Sequence, residues 1–385
     1  MSKGGRQKNN LRIIITGGGT GGHLFPGIAL ADAVLDRLEG SEVMFIGTDR
    51  QLDTSALETK SYKVASIHCS GLKGKSFRTR FLTLAGLPRA LSEAAGLIRE
   101  FQPSLVFGVG GYVTGPVILA ARLKGIATCI HEQNSVPGLA NRMLGRLVDR
   151  VFLSIPGCER YFPARKTVVS GNPVREELLR HAANNAETKK GVTLLVLGGS
   201  QGAHRVNTLV TGAIDTFINS LPDDFRIIHQ TGVQDEKMVR DIYARLGVTA
   251  RVAAFFPDMG EIYNEADLVV SRAGATTLAE LMLLGKPSIL VPYPYAADDH
   301  QAKNGQYFVD GGAAKMYLEK DLTEVRMGKE IVNLLHDPDL RNRMAGAAER
   351  LAKPHATEKI LEECMALLAG RGFTLGPLNM HNPHV

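Results

Sequence analysis

Two similar α/β domains facing one cleft are predicted by three features of this sequence. A glycine loop follows an apolar run near the start, a second follows an apolar run in the middle, and strand-like runs alternate with helical periodicity through both halves. The 385 residues also exceed the size at which one core keeps growing, so two domains is the expectation from length alone.

The first loop, Gly17-Gly18-Gly19-Thr20-Gly21-Gly22-His23, directly follows Leu11 to Ile15. Leu24, Ile28, Ala31, Leu35 and Leu38 then fall on one helical face, so the loop turns a buried strand into a helix. Backbone N–H groups at such a helix start favour negative charge, and a diphosphate fits them. His23 closes the loop, and an imidazole beside a phosphate site suits proton transfer near neutral pH. A plain tight turn with a solvated histidine is the bland reading.

Further strands are expected at 11–16, 42–46, 104–109, 127–131, 150–154 and 167–170, an alternation that means a parallel sheet. The uncharged stretch from Phe101 to Ala121 is long enough to raise the question of a membrane span, yet it holds Pro103, Pro116 and several glycines. A strand, a glycine loop and a helix explain it better. Gly108-Val109-Gly110-Gly111-Tyr112-Val113-Thr114-Gly115-Pro116 is that loop, and His131-Glu132-Gln133-Asn134 ends the next strand. Both should border the cleft, because ligands bind beyond the carboxyl ends of parallel strands. For Glu132, buried polar packing is the competing reading.

Gly171-Asn172-Pro173, with the polar stretch His181 to Lys190, marks the expected hinge, giving domains at 11–174 and 175–350. The second half repeats the pattern, with strands near 193–197, 226–230, 251–255, 267–270 and 287–291. Its first loop is Gly198-Gly199-Ser200-Gln201-Gly202-Ala203. Gly274-Ala275-Thr276-Thr277-Leu278-Ala279-Glu280 opens another helix, where Glu280 could accept both hydroxyls of a ribose. Thr followed three residues later by Glu is equally a capping box. Asp298-Asp299-His300-Gln301 forms a polar loop suited to sugar hydroxyls, with no third ligand at a spacing that suggests a metal. Arg175 can offer a planar guanidinium to a phosphate, or be an ordinary surface arginine. Beyond residue 320 the chain is helical, with a last helix over about 354–369 that should pack back on the first domain, then a frayed tail from Gly370.

Hydrophobic content of 44% and charged content of 22% describe an ordinary globular protein. The formal charge of +6 favours anionic partners. Nucleic acid is disfavoured, since no arginine-rich run, zinc-ligand spacing or aromatic RNA-binding signature is present and tryptophan is absent. Cys69, Cys129, Cys158 and Cys364 lack paired spacing and read as reduced thiols of a cytoplasmic protein. The polar, basic N-terminus carries no expected export signal.

With these loops placed, the chain resembles the MurG family of glycosyltransferases nearly end to end. The resemblance rests on GGGTGGHLFPG from Gly17, SGLKGK from Ser70, GVGGYVTGP from Gly108, HEQN from His131, GNPVR from Gly171, GGSQGA from Gly198, RAGATTLAE from Arg272 and DDHQAKN from Asp298. It implies two Rossmann-like domains in the GT-B arrangement. It also implies transfer of N-acetylglucosamine, with inversion, from UDP-N-acetylglucosamine to the 4-hydroxyl of a lipid-linked muramoyl-pentapeptide.

By the same resemblance, Ser200 would contact the donor diphosphate, Arg175 would neutralise it, Glu280 would bind the ribose and Gln301 the sugar. Ala275, Thr276, Thr277, Leu278 and Ala279 line the donor helix start, and Phe256 would present backbone groups to uracil. In many relatives an aliphatic residue stands at Phe256, which matters little to main-chain recognition. Thr20, Gly21, Gly22 and Asn134 would approach from the N-terminal side. His23 is the first choice for the base and Glu132 the second. Helix amides and Arg175 would carry the leaving charge, so neither metal nor cofactor is implied.

The segment from Lys73 to Arg89 mixes cations with bulky apolar residues, as an interfacial anchor on the cytoplasmic face of a membrane does, with core burial as the alternative. A dinucleotide-dependent oxidoreductase would need an acid at the end of the second strand, where Gly47-Thr48-Asp49 comes late. A non-catalytic sugar-nucleotide sensor, a diacylglycerol glycosyltransferase and a UDP-sugar epimerase are the remaining rivals.

Overall fold

The computed structural model describes residues 10–18, 21–48, 62–69, 86–183, 191–199 and 202–373. They form two compact units. Unit 1 runs to Arg175 and takes in the chain from His355 onward, and unit 2 is Glu176–Pro354.

Unit 1 holds β1 (Arg12–Gly17), β2 (Glu42–Gly47), β3 (Lys63–Ser66), β4 (Leu105–Gly110), β5 (Ala127–Glu132), β6 (Arg150–Leu153) and β7 (Thr167–Val169). They pair in the order β3-β2-β1-β4-β5-β6-β7, every neighbour parallel. Unit 2 holds β8 (Val192–Leu197), β9 (Phe225–Gln230), β10 (Thr249–Ala253), β11 (Leu268–Ser271), β12 (Ser288–Leu290) and β13 (Ala314–Met316). Their order, β10-β9-β8-β11-β12-β13, is again all parallel. Both sheets therefore reverse direction beside their first strand, the doubly wound order in which ligands sit at the switch point.

The strands form where the sequence is apolar without interruption, because a parallel sheet is covered on both faces. Ile13, Ile14, Ile15, Leu194, Leu195 and Val196 are each at most 1% exposed. Ile13 and Ile15 point into one core layer and Ile14 into the other, as a period of two requires. Parallel neighbours need crossovers, and helices supply them. In unit 1 these are α1 (Gly21–Arg37), α2 (Leu87–Phe101), α3 (Thr114–Leu123) and α4 (Leu139–Leu144). In unit 2, α5 (Glu176–Ala183) precedes the sheet, the crossovers are α6 (His204–Thr216), α7 (Glu236–Leu246), α8 (Met259–Glu265), α9 (Ala275–Leu283) and α10 (His300–Asp310), and α11 (Glu324–His336) and α12 (Pro338–Leu351) follow the last strand.

The last helix, α13 (Ala356–Ala369), packs on unit 1. Pro354 lacks an N–H and pushes Lys353 out of the helical region, so α12 stops and a new helix starts. Ile360, Leu361, Cys364 and Leu368 share one face and join the core of Ile13, Ile15, Leu30 and Val34. Arg37 donates to Glu358 at 2.6 Å and Lys359 to the Val169 carbonyl at 2.8 Å, which fixes the rotation of the helix.

Some elements differ from the sequence expectation. Strands β3 and β13 were not anticipated: both are sheet edges, one with three of its four residues exposed and one only three residues long, so neither carries an apolar run. Strand β10 starts before the expected 251–255 because its first three residues are exposed. The polar stretch from His181 is not a linker as far as Ala183. It belongs to α5, where Leu178 is fully buried and Asn264 donates to His181 Nδ1 at 2.8 Å, so the units part at Arg175 instead. The uncharged stretch 101–121 is the end of α2, then β4, the glycine loop and α3. Among the described residues no helix is long and apolar enough to cross a membrane. Of the segment 73–89, residues 73–85 lie outside the described residues, as does the tail from 374.

Candidate active site

In unit 1 the loops after β1 and β4 meet at the switch point, and their approach is too close for side chains. Gly111 has φ +90°, and a Cβ there would lie 2.7 Å from the Gly18 carbonyl oxygen. Gly110, at φ +107°, would place a Cβ 3.0 Å from His23 Nδ1 and 3.1 Å from its Cε1. Glycine is thus required for the imidazole to approach this backbone so closely. Thr114, in the first turn of α3, clasps the two loops by donating to the carbonyls of Thr16 and Gly110 at 3.2 and 2.9 Å. Gly21 and Gly22 open α1, while Thr20 lies outside the described residues.

His23 is half-buried, and its Nδ1 lies 2.9 Å from Gln133 Oε1. Gln133 is fully buried and its Nε2 is 2.9 Å from the Val109 carbonyl and 3.0 Å from His131 Nδ1. His131 Nε2 in turn is 3.1 Å from the Gly171 carbonyl, with Ser154 Oγ at 3.3 Å. Burial pulls the His131 imidazole down to about 4, against which the Gly171 bond acts, so the ring is neutral at pH 7.

Glu132 is 2% exposed and both its oxygens are engaged. One accepts from the Asn134 backbone N–H at 3.0 Å and its Nδ2 at 3.1 Å; the other accepts from Gly138 N–H at 3.2 Å and Asn141 Nδ2 at 2.9 Å. The carboxylate thereby folds the loop between β5 and α4, and it orients Asn134. Arg175, the last residue of unit 1, stacks its guanidinium over the Phe25 ring at 5.1 Å.

In unit 2 the corresponding loops follow β8 and β11. Gly202 has φ +76°, and a Cβ there would meet the Thr231 carbonyl oxygen at 2.6 Å, so this loop too is closed tightly on backbone. Ser200 lies outside the described residues. The residue before α9 is Gly274, in extended geometry and with no side chain capping the helix. The capping-box alternative for Thr277 and Glu280 is therefore not realised. Thr277 is already inside the first turn, and the amides of Ala275 and Thr276 begin a helix whose N-cap residue, Gly274, has no side chain to cap its positive end. Leu278 and Ala279 are buried behind it.

Glu280, 8% exposed, accepts instead from the Tyr263 hydroxyl at 2.9 Å. The Phe256 backbone N–H donates to Gln230 Oε1 at 3.2 Å, which holds the 254–258 turn in place. Gln301 Oε1 accepts from the Tyr293 N–H at 2.9 Å, so the side chain pins the loop that leads to α10. Asp298 and Asp299 precede it with φ of +55° and +56°, backbone that costs energy for residues other than glycine. Beneath the β8 loop, His229 is wholly buried between Tyr243 OH at 2.9 Å and Asn207 Oδ1 at 3.0 Å, and burial pulls it down to about 3.

Sequence reading passed over Gln133, Tyr263 and Gln230 as functional candidates. Gln133 lies inside the HEQN motif, but the role of each is set by a partner distant in the chain, which no local pattern names.

The chain matches two family models, the glycosyltransferase family 28 N-terminal domain over residues 13–153 and the glycosyltransferase family 28 C-terminal domain over residues 193–360. A protein of Desulfotalea psychrophila is 48% identical over 94% of this chain and 98% of its own length. One of Syntrophus aciditrophicus is 43% identical over 93% and 99%. Both are named UDP-N-acetylglucosamine–N-acetylmuramyl-(pentapeptide) pyrophosphoryl-undecaprenol N-acetylglucosamine transferase. Among solved structures, MurG of Acinetobacter baumannii superposes with a TM-score of 0.74 at 30% identity, covering 92% of this chain and 99% of that one. A UDP-N-acetylglucosamine 2-epimerase shares the fold, with a TM-score of 0.66 at 16% identity over 94% of this chain and 98% of that one.

Proposed function

This chain belongs to glycosyltransferase family 28 and, within it, to the MurG family, and from that premise we propose which of its residues carry the reaction. The protein is a UDP-N-acetylglucosamine-dependent hexosyltransferase of the GT-B fold. It moves N-acetylglucosamine to the muramoyl 4-hydroxyl of the undecaprenyl-diphospho-muramoyl-pentapeptide in peptidoglycan synthesis.

Unit 2 binds the donor. The start of α9, whose N-cap is a glycine, and the loop after β8 receive the diphosphate, and Glu280, held by Tyr263, takes the ribose hydroxyls. Phe256, fixed by Gln230, meets the uracil through its backbone carbonyl, and Gln301 offers its free amide hydrogens to the sugar. Unit 1 binds the acceptor through the loops after β1 and β4, with Asn134 oriented by Glu132. In the transfer, the muramoyl hydroxyl oxygen attacks the anomeric carbon from the face opposite the diphosphate. The new carbon–oxygen bond forms as the old one breaks, UDP leaves with the electron pair, and the hydroxyl proton passes to His23. Arg175 and the helix amides stabilise the charge that grows on the leaving diphosphate.

His23 is the base because it is half-buried in the loop crossing, whereas both Glu132 oxygens are already occupied by four donors. That contrast carries the assignment. Radiolabel transfer from UDP-N-acetylglucosamine to the lipid-linked acceptor tests it. His23→Ala should lower kcat by about 100-fold or more while donor affinity stays near that of the parent, and parent-like turnover would refute the role.

Unit 1 also meets the cytoplasmic membrane surface, where the acceptor's lipid stays. Leu119 and Leu123 project from α3, Leu139 and Met143 from the neighbouring α4, and all four are at least 40% exposed. Arg122, Lys124, Arg142 and Arg146 are exposed among them, the mixture of apolar bulk and positive charge that binds anionic interfaces.

A further inference from the structure

We propose that Gln133 sets the tautomer of His23, leaving the Nε2 lone pair as the reactive one; the inference rests on the reading of His23 as base. It follows from counting donors and acceptors along one buried chain. The Gly171 carbonyl can only accept, so His131 Nε2, 3.1 Å away, carries a proton. Neutral His131 has only that one ring proton, so its Nδ1 is an acceptor and the Gln133 atom 3.0 Å from it is a donor. The Val109 carbonyl, also acceptor-only and 2.9 Å from the same atom, demands the same orientation. Two independent acceptors thus identify that atom as the amide nitrogen, and neither of its hydrogens is left over.

The remaining end of the amide is its oxygen, which can only accept. It lies 2.9 Å from His23 Nδ1, so that nitrogen carries the ring proton and Nε2 holds the lone pair. Flipping the Gln133 amide would set oxygen against the Val109 carbonyl, and flipping His131 would set a lone pair against the Gly171 carbonyl. The proton position on His23 is therefore determined by two main-chain carbonyls through two side chains. When Nε2 takes the acceptor's proton, the imidazolium keeps its Nδ1–H bond to Gln133 Oε1, whose partial negative charge stabilises it. Gln133 touches no reacting atom and is a positioning residue.

The experiment is ¹⁵N NMR of the His23 ring in the full chain at a pH where the ring is neutral, with transfer kinetics on the same samples. In the parent, Nδ1 should show as the protonated nitrogen. In Gln133→Leu, folded by thermal melt, the spectrum should move toward the Nε2-protonated form. Its kcat should fall by about 10- to 100-fold with the donor KM unchanged. A parent ring protonated on Nε2 overturns the proposal even if Gln133→Leu does not fold, and so does a folded Gln133→Leu with parent tautomer and parent kcat. If the NMR result holds but His23→Ala retains full turnover, the base assignment fails and the tautomer clamp stands.

Discussion

Replacing Gly110 with alanine perturbs the crossing of the two unit 1 loops at its tightest point. The residue sits at φ +107°, where an L side chain stores strain of about 1–3 kcal/mol. The added methyl would stand 3.0 Å from His23 Nδ1 and 3.1 Å from Cε1, several tenths of an ångström inside normal contact, so the ring must move. Its bond to Gln133 Oε1, now 2.9 Å, has little room before it opens beyond hydrogen-bonding range. The strain should lower the melting temperature of unit 1 by roughly 2–12 °C, at about 2–4 °C per kcal/mol for a domain of this size. The displaced base should cost kcat about 10- to 100-fold, since misplacing a catalytic group by a fraction of an ångström to one ångström has that effect. Transfer of labelled N-acetylglucosamine at saturating donor and acceptor, with a thermal melt of the same protein, measures both. Parent kcat in Gly110→Ala would refute the idea that the imidazole must rest on this glycine.

Tyr263→Phe removes a donor from the nearly buried Glu280 and should weaken UDP binding about tenfold, equivalent to about 1.4 kcal/mol, by calorimetry; an unchanged affinity would separate Glu280 from the ribose. Leu123→Ser with Leu139→Ser removes the two most exposed apolar residues that α3 and α4 share with the basic rim, and sedimentation with anionic liposomes should show partitioning reduced about tenfold or more. Equal partitioning would move the membrane surface elsewhere. Acid should destabilise both units for a reason visible in their buried histidines. His131 and His229 bind protons in the unfolded chain below about 6.5 but in the folded one only near 4 and 3, so stability present at pH 7 falls as pH drops through that window. By pH 4 each histidine accounts for about 3 kcal/mol, and His229→Gln should flatten the dependence of unit 2 stability on pH. An unaltered slope in that variant argues for protonation elsewhere.

The sequence alone determined the two parallel sheets and the positions of their phosphate-type loops. Strands covered on both faces must read as unbroken apolar runs, and loops that bring backbone to backbone must shed their Cβ atoms; both are properties of consecutive residues, as in Ile13-Ile14-Ile15 and Gly110-Gly111. The edge strands at 63–66 and 314–316 escaped notice because an edge carries little apolar demand. Only the tertiary structure decided that Glu280 answers to Tyr263 rather than to a capping threonine. It also brought Gln133 Oε1 to within 2.9 Å of His23 Nδ1. These depend on hydrogen bonds and packing between residues as much as 110 positions apart for His23 and Gln133, and no pattern of neighbours in the chain encodes a partner at that distance.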